Sequence, residues 1–162
     1  MRILAFDQST KVTGHSLFVD GEYVDSGVID LHLDKDTEKR SNRMAVEICN
    51  LIEKNKPDAV VIEEVAMQSN AQTLKLLARI QGVAIGFCAA HNIPLHILEP
   101  SKWRSALSYT QGRSVKREEL KQQSFDYVKK HLGFDNFSED RCEACCINMA
   151  AHKIFDFDDD EI

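Results

Sequence analysis

The 162-residue sequence has three prolines, seven glycines and a single tryptophan. So few backbone-breaking residues exclude collagen-like and low-complexity architectures, and a hydrophobic share of 43% excludes a disordered chain. The longest nearly apolar run, residues 82–90, falls short of the about 20 residues that span a bilayer. The apolar stretch at the amino terminus is too short for a signal-peptide core, so a soluble protein of the cytoplasm with no membrane partner is expected. Cysteines number five, an odd count without the density of a secreted disulfide framework, which points to reduced thiols. Positive charge is also in deficit. Lys and Arg total 20 against 26 Asp and Glu, and the net −6, taken alone, argues against a nucleic-acid partner. The length suits one domain over residues 1–155, followed by an acidic tail over 156–162.

What the sequence does contain is a clear succession of patterns. Residues 2–6 form a short apolar run ending at Asp7, and residues 13–19 and 22–31 flank Asp20-Gly21, a two-residue hairpin signal. Helical spacing over 37–55 stops at Pro57, and the unbroken run 59–62 reads as a buried strand. A helix over 72–91, a strand over 94–98 and a short helix opened by Pro100 follow. Beyond a polar loop, helices are expected over 114–132, with Ser114 as N-cap and Gly133 as stop, and over 138–155. This order predicts an α/β fold with one five-stranded mixed sheet, three antiparallel strands then parallel ones, and helices on both faces.

Acidic residues fall at chosen points of that pattern. Asp7 ends the first strand, Glu63 and Glu64 end the buried fourth strand, and Asp140 and Glu143 lie one turn apart on the last helix. If strands one and four are parallel neighbours, their ends bring Asp7 and Glu63 together, and the last helix adds the other two. Converging carboxylates repel unless hard divalent cations sit between them. Their oxygens suit Mg²⁺ or Mn²⁺, and two such ions about 3.5–4 Å apart would serve phosphodiester hydrolysis. Each acid also fits an ordinary role: Asp7 a strand-end cap, Glu63 and Glu64 a solvated edge, Asp140 and Glu143 a first-turn pair favoured by the helix dipole.

Several segments carry a resemblance. Ile3-Leu4-Ala5-Phe6-Asp7-Gln8-Ser9 with Thr13-Gly14, then Val61-Ile62-Glu63-Glu64-Val65-Ala66-Met67, then Lys75-Leu76, Ala78-Arg79 and Gly82-Val83-Ala84-Ile85, are similar to the RuvC-type Holliday-junction resolvases. The closing Asp140-Arg141-Cys142-Glu143 matches that family's two acids on the last helix, with Glu in place of the second Asp. The resemblance implies an RNase H-like fold, a homodimer, and Mg²⁺-dependent symmetric nicking of four-way or other branched DNA in recombination and repair. It makes Asp7, Glu63, Asp140 and Glu143 the metal-binding and catalytic acids, holding two Mg²⁺ or alternatively Mn²⁺. Lys116 becomes the basic residue beside the scissile phosphate. Ala66 stands where cellular members carry an aromatic that meets bases, and with Glu143 and residues 100–104 it resembles the divergent versions carried by bacteriophages, which would act in the cytoplasm of a bacterial host.

The charge distribution changes what −6 means. Between residues 101 and 131 eight basic residues face three acids, so this segment carries +5 and the remainder −11. Five of those negatives are in the tail, and four are the proposed metal ligands. The candidate DNA contacts are Lys75, Arg79, Lys102, Arg104, Arg113, Lys116 and Arg117; Lys121, Lys129 and Lys130 fit either DNA or a solvated helix face. Cys142, Cys145, Cys146 and His152 share one predicted helix and match no zinc spacing, and Trp103, open to a core place or to a stacking platform, is left unassigned. Two alternatives stand beside the nuclease. Asp7-Gln8-Ser9-Thr10 with Gly14 also resembles the phosphate hairpin of actin-like ATPases and sugar kinases, although the nuclease reading requires no nucleotide cofactor. A non-catalytic junction-binding protein is the other.

Overall fold

A computed structural model of the chain, describing residues 1–67, 70–155 and 157, contains five strands and five helices. In chain order these are β1 (Arg2–Asp7), β2 (Val12–Val19), β3 (Glu22–Asp30), α1 (Thr37–Asn55), β4 (Ala59–Glu63), α2 (Ala71–Ala90), β5 (Leu95–Leu98), α3 (Pro100–Ala106), α4 (Arg117–Leu132) and α5 (Glu139–Ile154). They form one sheet in the order β3-β2-β1-β4-β5. The first three strands are antiparallel, and β4 and β5 run parallel to β1, as expected. The hairpin turn has Asp20 and Gly21 at φ 50° and 79°, the left-handed pair that its Asp-Gly dipeptide favours. Apart from Phe157, the acidic tail lies outside the described residues.

Strand alternation separates two cores. Ile3 and Ala5 of β1, with Ala59 and Val61 of β4, face a core built with α3, α4 and α5, whereas Leu4, Phe6, Val60 and Ile62 face α1 and α2. Helix α5 lies against β1 and β2 with half of its residues buried. A polar clamp anchors it: the buried Asn148 amide donates to Ile3 O at 3.1 Å and Ser16 O at 3.1 Å, and Ser16 Oγ donates to Ala144 O at 2.8 Å. These bonds satisfy groups that would each cost about 1–3 kcal/mol if left unpaired in the interior.

Two expectations change. Helix α4 begins at Arg117, not at Ser114. Gly112 adopts φ 140° and its carbonyl accepts from the Val115 N–H at 3.1 Å, which closes a turn that the helix cannot enter. The Glu119 carboxylate then reaches back to the Lys116 N–H at 3.4 Å. The second change concerns α2, which is long and apolar enough to cross a membrane, its most apolar 18-residue stretch having a mean hydropathy of 1.3, although the apolar run over 82–90 is not. Its setting here is the sheet: Leu76, Ile80, Ala84 and Cys88 are buried, and Gln81 Nε2 donates to Glu63 O at 3.1 Å.

Candidate active site

The alternation that builds the cores also aims the acids. Asp7 continues the Ile3–Ala5 side of β1, and Glu63 continues the Ala59–Val61 side of β4, so both carboxylates leave their strands toward α5. Phe6 and Ile62 are paired in the register, which puts the next residues side by side. Glu64 lies beyond the strand, with its carboxylate accepting its neighbour's Val65 N–H at 2.8 Å. From the other side α5 presents Asp140 and Glu143 one turn apart. Its approach depends on Gly14, the β2 partner of Asp7: a Cβ there would lie 1.9 Å from Asp140 O. All four acids line one cleft of about 470 Å³, together with Gln8, Ser9 and Thr10 of the loop after β1.

Proton affinities register the crowding. Burial, followed by the facing Glu143, Glu63 and Asp140 charges, pushes Asp7 well above the ordinary carboxylate range. Burial and the Glu63 charge push Glu143 up to about 7, partly opposed by Arg104, and Asp7 and Glu143 share a hydrogen bond. Glu63 and Asp140 are raised as well, each chiefly by burial. Among the described residues no three His, Cys, Asp or Glu side chains converge closely enough to grip an ion as they stand. Carboxylates this crowded raise one another's proton affinity and are relieved by positive charge placed among them. Both Gln8 side-chain polar atoms are also buried at the cleft without a partner. An all-carboxylate donor set with excess negative charge and unspent polar atoms fits a hard divalent cation.

Acids at two strand ends facing an acid pair on a packed helix is a pattern that can be compared across proteins. The crossover junction endodeoxyribonuclease RuvC family model matches residues 3–139. The chain belongs to this family. The RuvC of Solidesulfovibrio magneticus is 29% identical over 120 residues, covering 72% of this chain and 70% of that protein. The RuvC of Caldicellulosiruptor saccharolyticus is 23% identical over an alignment of 173 positions that takes in all of both chains. Among solved structures, Thermus thermophilus RuvC in complex with a Holliday junction substrate superposes with a TM-score of 0.74 at 14% identity, over 94% of this chain and 93% of that one. The yeast mitochondrial Holliday junction resolvase gives 0.56 at 16% identity, over 91% and 76%. The RuvC family match stops just before Asp140, so the placing of Asp140 and Glu143 rests on the geometry of α5.

Within the RuvC framework the basic residues sort into two groups. Arg104, Arg117 and Lys121 line the cleft. Arg104 Nε is buried there without a partner, and its guanidinium lies 4.9 Å from the centre of the Trp103 ring. Lys121, which fitted either DNA or solvent, turns inward and pairs at 2.8 Å with Glu139, a cleft acid that the spacing argument missed. The other candidates do not line this cleft. Lys116 is exposed at the α4 N-cap, one residue from Arg117. Arg113 and Lys75 are exposed, Lys102 pairs with Glu99 at 3.3 Å, and Arg79 pairs with Glu38 at 3.6 Å. Trp103, which the sequence left unassigned, is fully buried and donates its indole N–H to Glu63 Oε1 at 2.7 Å. No spacing rule signals that contact, because it joins elements forty residues apart.

Proposed function

We propose that this chain is a divalent-metal-dependent endonuclease that resolves four-way DNA junctions by symmetric nicking as a homodimer. The observation that carries the reading is the joining of Asp7, Glu63, Asp140 and Glu143 with Arg104, Arg117 and Lys121 around one cleft. The four carboxylates are the residues that would hold the ions, Mg²⁺ first and Mn²⁺ as the alternative. Bound ions would supply an activated water and stabilise the attacking and leaving oxygens. The chain's own part is positioning. Arg117 and Lys121, one turn apart on α4, would receive the DNA backbone, with the exposed Lys116 extending that row. Arg104, short of a hydrogen-bond acceptor, would take a non-bridging phosphate oxygen and offset the charge that grows there. Water oxygen bonds to phosphorus, the P–O3′ bond breaks, and the products carry a 5′-phosphate and a 3′-hydroxyl.

Two cuts placed symmetrically require two clefts, which a second copy of the chain provides. The outer face of α2 supports this: Val83 and Ile85 are 46% and 39% exposed, beside the exposed small residues Ala78, Gly82, Gly86 and Ala89. The first turns of the same helix line the cleft through Thr73 and Leu77, so pairing two copies there would link the sites. We place the enzyme in the cytoplasm, a reading supported by its five free thiols. The test compares four-way, three-way and linear DNA with Mg²⁺ and Mn²⁺ in turn. Paired nicks in the four-way substrate are expected, and Asp7→Asn should bind that substrate without cutting it. Cutting by Asp7→Asn at the wild-type rate would refute the assignment.

A further inference from the structure

Trp103 is the sole tryptophan of the chain and is completely buried. A buried indole N–H needs an acceptor. Here that acceptor is a carboxylate oxygen of the active cleft, Glu63 Oε1, at 2.7 Å. The same ring carries the Arg104 guanidinium 4.9 Å from its centre, and it meets Tyr109 edge to face with centroids 5.4 Å apart. The Tyr109 hydroxyl in turn reaches Ser124 Oγ and Cys146 Sγ, both at 3.2 Å, which braces the aromatic pair against α4 and α5. One rigid ring therefore contacts both an acid and a cation of the cleft.

We propose that Trp103 is a positioning residue: its indole N–H holds Glu63 by Oε1, leaving Oε2 to the divalent ion, while its ring face holds Arg104 over the same cleft. This rests on reading the four acids as a metal site. A carboxylate with two free oxygens can meet an ion through either or both and can rotate between them. A donor fixed on one oxygen removes that freedom, and an uncharged donor does so without neutralising the carboxylate that the ion needs. Partners of this kind orient metal ligands, and their loss typically weakens metal affinity about 10- to 100-fold. Had the contact served only to satisfy the N–H, metal affinity would be indifferent to it.

The test uses two full-length variants and calorimetric Mg²⁺ titration. Trp103→Phe removes the donor and some volume; replacing Trp103 with β-(3-benzothienyl)alanine puts sulfur in place of N–H and keeps the ring size. Cooperative unfolding in EDTA verifies that the isosteric chain is folded. Both variants should bind Mg²⁺ about 10- to 100-fold more weakly than the wild type. In the wild type the single tryptophan should report the site, its emission changing with the calorimetric midpoint as Mg²⁺ is added. Wild-type Mg²⁺ affinity in the benzothienyl chain, or tryptophan emission indifferent to saturating Mg²⁺, would overturn the positioning role alone. A wild-type chain that takes up no Mg²⁺ would overturn the metal reading beneath it.

Discussion

Replacing Gly14 by alanine tests how the site is assembled, because it adds one methyl group where β2 and α5 touch. An ideal Cβ at this position stands 1.9 Å from Asp140 O, 2.5 Å from Asp140 C and 3.2 Å from Ala144 Cβ. Since real Cβ contacts essentially never fall below 3.0 Å, the strand and the helix must separate locally by about 1.1 Å or more. The obstructing atoms are backbone, and α5 is tied to β2 by the Ser16 and Asn148 bonds, so no flexible side chain can absorb the move. Overpacking of this sort costs about 1–3 kcal/mol. At about 2 kcal/mol the melting temperature of a domain this size should drop by about 4–8 °C. The displaced segment carries Asp140, and a misplacement of about 1 Å at a reacting centre costs about 100-fold in rate. Gly14→Ala should therefore remain folded at 20 °C yet cut a four-way junction about 100-fold more slowly, measured as single-turnover cleavage. Gly27→Ala is the matched control on the neighbouring strand. Its Cβ would meet the movable His15 ring at 2.9 Å, so its cleavage rate should stay within a few-fold of wild type. Equal cleavage rates for Gly14→Ala and wild type would refute the claim that this close approach sets the site.

Three further outcomes follow from the same geometry. Asn148→Leu removes the donor to Ile3 O and Ser16 O in the interior and should lower stability by about 1–3 kcal/mol in urea unfolding; an unchanged midpoint would remove the clamp from the account of α5. With metal removed, Glu143 holds its proton up to about pH 7 in the folded chain against an ordinary value of 4.5, so the folded state binds more protons across that window. Its contribution to stability is then greatest at low pH and is lost as pH rises through about 7. Glu143→Gln should remove that fall, and Mg²⁺ should release protons on binding and raise the melting temperature more at pH 8 than at pH 5; a metal effect independent of pH would count against the raised proton affinity of these acids. Finally, Val83→Glu on the exposed face of α2 should convert a dimer into a monomer in sedimentation while leaving the melting behaviour of the protomer cooperative; an unaltered sedimentation coefficient would place the dimer contact elsewhere.

Much of this arrangement is legible in the residues alone, for a physical reason. Strand alternation is local, so the parity that sends Ile3 and Ala5 to one face also sends Asp7 there, and the parity of Ala59 and Val61 does the same for Glu63 over Glu64. Helical spacing is local too, which is why Asp140 and Glu143 could be read as one pair. The Asp20-Gly21 turn and the five-strand order follow from short-range signals of the same type.

The basic residues behave differently. Which of them reach the cleft depends on where α4 starts and how it is rotated, and a turn at Gly112 moved that start from residue 114 to 117. Arg117 and Lys121 consequently enter the cleft, whereas Lys116 is exposed and does not line it. The contacts that hold the acids are longer in range still: Gly14 against Asp140, Ser16 and Asn148 across the sheet, and Trp103 on Glu63. Each joins residues separated by many turns of chain, and the periodicity of a single strand or helix carries no information about what will be packed against it. The sequence by itself determined which acids could meet and on which side of the sheet. Only the tertiary structure decided how closely they meet and which uncharged groups hold them there, because those depend on the packing of one element against another.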